Sequence, residues 1–144
     1  MHKPFFVFIL VLLASNSFGQ EKVEWSFDFD NDSNTIQIKA DIAEGWHLYS
    51  QHIDNEIGPV PTTIEFTVNE DILLIGSTEE PESLKEYDEN FEGELNFFKD
   101  EVVFTQKVDV RKNSKLDGVV TFMVCNDTMC LPPVDKEFSV LIEI

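Results

Sequence analysis

The sequence predicts an all-β domain, a sandwich or barrel of short strands. Apolar residues recur with a period of two along much of the chain, turn-forming residues separate these segments, and no stretch repeats apolar residues at helical spacing. A period of two places alternate side chains on opposite faces of a half-buried strand.

The elements follow in order. Val23, Trp25, Phe27 and Phe29 alternate with Glu24, Ser26 and Asp28. A turn-rich Asn31–Asn34 stretch leads to Ile36, Ile38, Ala40 and Ile42. Ile64, Phe66 and Val68 repeat the pattern, and Ile72–Ile75 is a continuous apolar run that reads as another strand. Val102, Phe104, Val108 and Val110 follow, with polar Gln106 among them. Val120, Phe122 and Val124 precede the last strand, Phe138, Val140, Ile142 and Ile144. Glu44-Gly45 and Asp117-Gly118 read as turns. Residues 52–61, with Gly58, Pro59 and Pro61, read as a loop. Residues 79–101 hold ten acidic residues and read as a solvated loop, with Phe91 a lone aromatic among polar neighbours. Such a residue either plugs back onto the domain or meets a partner.

The 144 residues fit one domain. Ten Lys and Arg against 28 Asp and Glu give a formal charge of −18. That balance argues against nucleic acid or an anionic membrane as partner, because both call for clustered cations. The 42% hydrophobic and 12% aromatic content argues against disorder.

The first nineteen residues read as a secretory signal. Lys3 supplies the positive end, Phe5 to Ala14 an apolar run too short to span a bilayer, and Ser17-Phe18-Gly19 the small residues of a cleavage site. Residues 20–144 are then the exported domain, without membrane insertion, in a periplasmic compartment where disulfides persist.

The chemistry concentrates in Gly118–Val134. A strand ends at Cys125, Asn126-Asp127-Thr128-Met129 forms a turn, and Cys130-Leu131-Pro132-Pro133 leads into the last strand. A turn of this length brings two cysteines within disulfide reach, and the prolines keep the start of the last strand from pairing fully. Three uses remain open at this point. One is thiol–disulfide exchange at an exposed bond. The second is a structural staple, although closing so short a loop removes little unfolded-chain entropy. The third is copper or zinc binding by Cys125, Cys130, Met123, Met129, His47 and His52. Hydrolysis has little support, since no nucleophile elbow, phosphate loop or HExxH pattern is present.

Three segments together resemble the N-terminal periplasmic domain of the thiol:disulfide interchange protein DsbD. Gly45-Trp46-His47-Leu48-Tyr49-Ser50-Gln51 is similar to a glycine–aromatic segment beside that family's redox site. Asp88-Glu89-Asn90-Phe91-Glu92-Gly93 is similar to its acidic cap loop, and Phe122-Met123-Val124-Cys125 through Cys130-Leu131-Pro132-Pro133 to its cysteine pair followed by two prolines. The resemblance implies an immunoglobulin-like β-sandwich and activity of the protein-disulfide reductase type, with no cofactor or metal. By position, Cys130 matches the cysteine that joins partners, Cys125 the resolving one, Phe91 the cap and Tyr49 a neighbouring aromatic. Trp46, His47, Asp88 and Glu89 complete the expected surroundings.

The implied partners are a membrane electron-carrier protein as donor and thioredoxin-like periplasmic proteins as acceptors, including disulfide isomerases and cytochrome c maturation factors. The expected state is a monomer. Four residues separate the cysteines, one fewer than in the best-known members, His47 stands where a tyrosine is common, and the cap loop holds one extra residue near Asn90. The sequence ends at Ile144 without a membrane carrier or thioredoxin-like domain, so the donor is expected to be a separate protein.

Overall fold

The computed structural model describes residues 21–54, 56 and 58–144. The expected signal segment, residues 1–19, lies outside them. Eleven strands and no helix occur among the described residues. They are β1 (Val23–Asp30), β2 (Thr35–Ile42), β3 (His47–Tyr49), β4 (Thr63–Phe66), β5 (Ile72–Glu79), β6 (Leu84–Asp88), β7 (Gly93–Phe98), β8 (Glu101–Val110), β9 (Ser114–Phe122), β10 (Val124–Cys125) and β11 (Val134–Ile142).

They form an antiparallel sheet in the order β1-β2-β8-β5, a second in the order β11-β9-β4, and a third in the order β10-β3-β7-β6. The alternating side chains of β1, β2, β8, β9 and β11 meet in one core that includes Ile36, Ile38, Phe104, Val120, Phe138 and Ile142. Aromatic rings lock it, with Phe27 stacked on Phe138 at 4.3 Å between centroids and Trp25 tilted against Phe122 at 5.2 Å. The result is an immunoglobulin-like β-sandwich, as the alternation and the resemblance implied.

Several details differ from the sequence reading. Asp117-Gly118 is not a turn but the middle of β9, where Gly118 pairs with Phe138. A Cβ on Gly118 would lie 2.5 Å from the Phe138 ring, so the glycine makes room for the aromatic. Val68 lies past the end of β4 and is almost fully exposed. Gln106 faces inward in step with Phe104 and Val108, and the bulge of β5 opposite it supplies partners: its amide donates to the carbonyls of Ile75 and Gly76 and accepts from Thr78 Oγ1.

The largest correction concerns residues 79–101. They form the β6–β7 hairpin, not a long loop. Most of β6 is exposed, so backbone pairing rather than apolar burial holds it, and its period is hidden by acidic side chains. In β7, Leu95 and Phe97 point to one face and Phe98 to the main core.

A sheet change positions the chemistry. The path of β9 breaks at Met123, and β10 pairs with β3 in the third sheet. Val124 remains in the main core, while Cys125 turns to the outer face of the third sheet.

Candidate functional site

The site is built on that outer face. Cys125 pairs across the strands with His47, and Tyr49 with Phe97. Cross-strand partners in an antiparallel pair share a face, so the side chains of His47, Tyr49, Phe97 and Cys125 lie together. Leu95 and Phe97 make the floor, and Ile53, Phe91, Met123 and Cys130 pack against it. Thr62 Oγ1 donates to the Tyr49 carbonyl at 2.6 Å, anchoring β3 from the neighbouring loop.

Cys125 and Cys130 are joined by a disulfide, with Cα atoms 4.0 Å apart. The turn between them organises itself. Asn126 Oδ1 accepts from the backbone N–H groups of Thr128 at 2.9 Å and Met129 at 2.8 Å, and the Leu131 N–H reaches the Val124 carbonyl at 3.0 Å. Cys125 is fully buried, whereas Cys130 is only partly so. Pro132 and Pro133 are exposed, and ladder pairing of β11 begins only at Val134.

Phe91 sits at the tip of the β6–β7 hairpin and turns back onto this cluster, edge-on to Tyr49 at 6.0 Å between centroids. Gly58 borders it from the other side: a Cβ there would come 3.1 Å from Phe91 Cδ1. The hairpin tip is tied down twice. Asp88 Oδ1 accepts from the backbone N–H groups of Asn90 at 2.9 Å and Phe91 at 3.3 Å. Asn90 Nδ2 donates to the Asn126 carbonyl at 2.8 Å, linking the tip to the disulfide turn.

The second oxygen of Asp88 faces the sheet. Tyr49 Oη donates to Oδ2 at 2.5 Å, and His47 Nε2 lies 3.3 Å from Oδ2 and 3.2 Å from Tyr49 Oη. These contacts are met when Nε2 carries the ring proton. Asp88 is nearly inaccessible and joins β3 to the hairpin tip through its two oxygens. Burial holds the His47 imidazole below its ordinary pKa, against the opposing pull of Asp88. Burial, reinforced by the hydrogen bond and charge of Asp88, pushes the Tyr49 phenol well above its own.

Of the residues singled out from sequence, Cys125, Cys130, Phe91, Tyr49, His47 and Asp88 come together. Glu89 lies exposed on the rim, beside a cleft of about 250 Å³ that is also lined by Glu86, Lys99 and Asp127. Trp46 points the other way: one residue before His47, it packs on the main core with Lys22 Nζ 5.3 Å from its ring centroid. Sequence reasoning missed Leu95, Phe97 and Gly58. The alternation of Leu95 and Phe97 was the available signal, hidden within the acidic stretch. Among the described residues, no group of three or more His, Cys, Asp and Glu is placed to hold a metal.

This geometry defines an immunoglobulin-like domain that carries a disulfide across a surface turn, with an aromatic from a neighbouring hairpin packed on the same cluster. Residues 15–142 match the family described as "Thiol:disulfide interchange protein DsbD, N-terminal", and the chain belongs to that family. No curated protein sequence matches it. Among solved structures, the reduced DsbD N-terminal domain of Neisseria meningitidis is similar, with a TM-score of 0.62 and 16% identity over 83% of this chain and 85% of that one. The complex of the DsbD and PilB N-terminal domains from the same organism gives 0.60 and 16% over 81% and 80%. The N-terminal periplasmic domain of ScsB from Proteus mirabilis gives 0.50 and 19% over 81% and 44%.

Proposed function

We propose that the chain is a periplasmic thiol–disulfide exchange module, exported by residues 1–19, which passes an electron pair from a membrane reductant to thioredoxin-like proteins. The observation that carries this reading is the asymmetry of the Cys125–Cys130 bond, one cysteine buried and one partly exposed, with the ring of a tethered hairpin tip packed on the same cluster. Membership of the DsbD N-terminal family supports the chemistry. The Neisseria complex supports the choice of partner, since there a DsbD N-terminal domain is joined with the PilB N-terminal domain.

In the reduced state the Cys130 thiolate attacks one sulfur of a partner disulfide, forming a Cys130–partner bond and releasing the other partner sulfur as a thiolate. Cys125 then attacks the Cys130 sulfur, closes the Cys125–Cys130 bond and frees the second partner sulfur. The partner gains the electron pair that the dithiol loses. Exchange of this kind depends on access and on thiolate fraction. Phe91 controls access, seated on Tyr49 and tethered by Asp88, with His47 behind Tyr49 and Glu89 at the rim. A strongly acidic chain disfavours additional negative charge, so reaction with small thiols is slow and docked partners are favoured. The module acts as a monomer, and its clients extend to oxidised isomerases and cytochrome c maturation factors.

The test is a trapping experiment with an oxidised thioredoxin-like protein. Cys125→Ser accumulates a mixed disulfide and Cys130→Ser yields none. The reverse pattern exchanges the two roles, and failure of both variants to trap removes the reading.

A further inference from the structure

Cys125 must ionise to release the partner, yet it is fully buried beside Tyr49, Leu95 and Phe97. Such surroundings work against a free thiolate. Its cross-strand partner is His47, on the same face. Directly opposed residues of an antiparallel pair hold their Cβ atoms about 4.5–5.5 Å apart. We infer that His47 is the acid–base partner of Cys125, with Asp88 orienting the imidazole, so that Cys125, His47 and Asp88 form a proton relay for the release step. The inference rests on the exchange reading above.

Several features fit the role. With Nε2 held by Asp88 and Tyr49, Nδ1 is the nitrogen left to take a proton. An activated nucleophile, its base and a third group that orients the base is a recurrent arrangement in covalent catalysis. Burial favours the neutral imidazole, the form able to take a proton, and Asp88 opposes by stabilising the charged ring once it has done so. Tyr49 cannot serve instead, because its phenol is held protonated. The ring touches Asp88 from β6 and Tyr49 from β3, has Cys125 of β10 as its cross-strand partner, and feels the charges of Lys99 after β7 and Asp127 in the disulfide turn. Glu86 and Glu89 line the same cleft.

The step balances. The Cys125 thiol passes its proton to neutral His47. The resulting thiolate attacks Cys130, the Cys125–Cys130 bond forms, and the Cys130–partner bond breaks. The electron pair leaves with the partner thiolate, which collects the proton from His47. Solvent cannot easily play this part at a sulfur without exposed surface.

The test uses the reduced protein and dithiobis-nitrobenzoate in stopped flow. Attack by Cys130 releases one thionitrobenzoate, and ring closure by Cys125 releases the second. His47→Gln is expected to slow the second phase about 100-fold at pH 7, within the usual range for a lost acid–base group, and to leave the first within about twofold. The difference should narrow as pH rises and hydroxide takes over removal of the thiol proton. His47→Tyr keeps an aromatic ring against Phe97 and supplies a second variant, expected to show the same selective loss. An unchanged second phase, or equal slowing of both phases at every pH, overturns the inference. Selective slowing of the second phase in His47→Gln, with no reduction of any thioredoxin-like protein by the unsubstituted chain, would instead defeat the exchange reading while His47 still assists closure of the Cys125–Cys130 bond.

Discussion

Replacing Phe91 with alanine isolates the cap from everything else at the site. The ring is partly buried against the cluster of Tyr49, Leu95, Phe97 and Cys125, so removing it forfeits about 1 kcal/mol of burial, roughly half of what a fully buried phenylalanine contributes. The edge-on contact with Tyr49 adds about 1 kcal/mol. Together these bias the disulfide toward its covered state by about 2 kcal/mol, and since 1.4 kcal/mol is tenfold, by a factor of about 25. The bonds from Asn90 and Phe91 N–H to Asp88 and from Asn90 to Asn126 involve no ring atom and survive the change. The variant therefore keeps its hairpin tip and loses only the shield. Reduction by dithiothreitol, followed by quench and thiol titration, is expected to accelerate about 25-fold. An acceleration below about twofold, with the fold intact, would refute the idea that the ring governs access.

Other consequences follow from the same contacts. Asp88→Ala leaves the Tyr49 hydroxyl, the His47 N–H and the hairpin-tip amides without their acceptor, and should lower stability by about 3 kcal/mol in urea unfolding. Gly58→Ala places a methyl group against Phe91 at a backbone angle (φ +118°) that alanine adopts poorly; it should raise the dithiothreitol rate in the direction of Phe91→Ala and lower the melting temperature. The lowered pKa of buried His47 means that the unfolded chain binds the extra proton first as pH falls. Its contribution to stability is complete above the ordinary histidine value of about 6.5 and declines below it, so unfolding free energies measured between about pH 7.5 and 5 should fall less steeply in His47→Gln.

Much of the fold was legible because its strands are half buried. β1, β2, β8 and β11 show their alternation openly, since each has one face on the main core and one in solvent. β6 was illegible for the opposite reason: Lys85, Glu86 and Tyr87 are all exposed, and the strand exists through its ladder with β7. Gly118 misled because a glycine beside an aspartate usually marks a turn, whereas here it lies under Phe138. The cysteine turn was legible from spacing and from Asn126. The network at Asp88 was not, because it joins β3 to β6, 39 residues apart in sequence, through two oxygens of one side chain. Only the third dimension shows that the residue seating the cap also holds His47 and Tyr49. The sheet change at Met123, which turns Cys125 away from the main core, was likewise hidden within an unbroken apolar alternation.

The most direct measurement is electron transfer itself. Equimolar reduced protein and an oxidised thioredoxin-like domain are mixed, quenched in acid and weighed by mass spectrometry. The account predicts reciprocal change: the partner gains two hydrogens and this chain loses two, with Cys125 and Cys130 rejoined. If both proteins keep their starting masses at equilibrium, while dithiothreitol and diamide freely open and close the bond, the disulfide is a staple and the account is wrong.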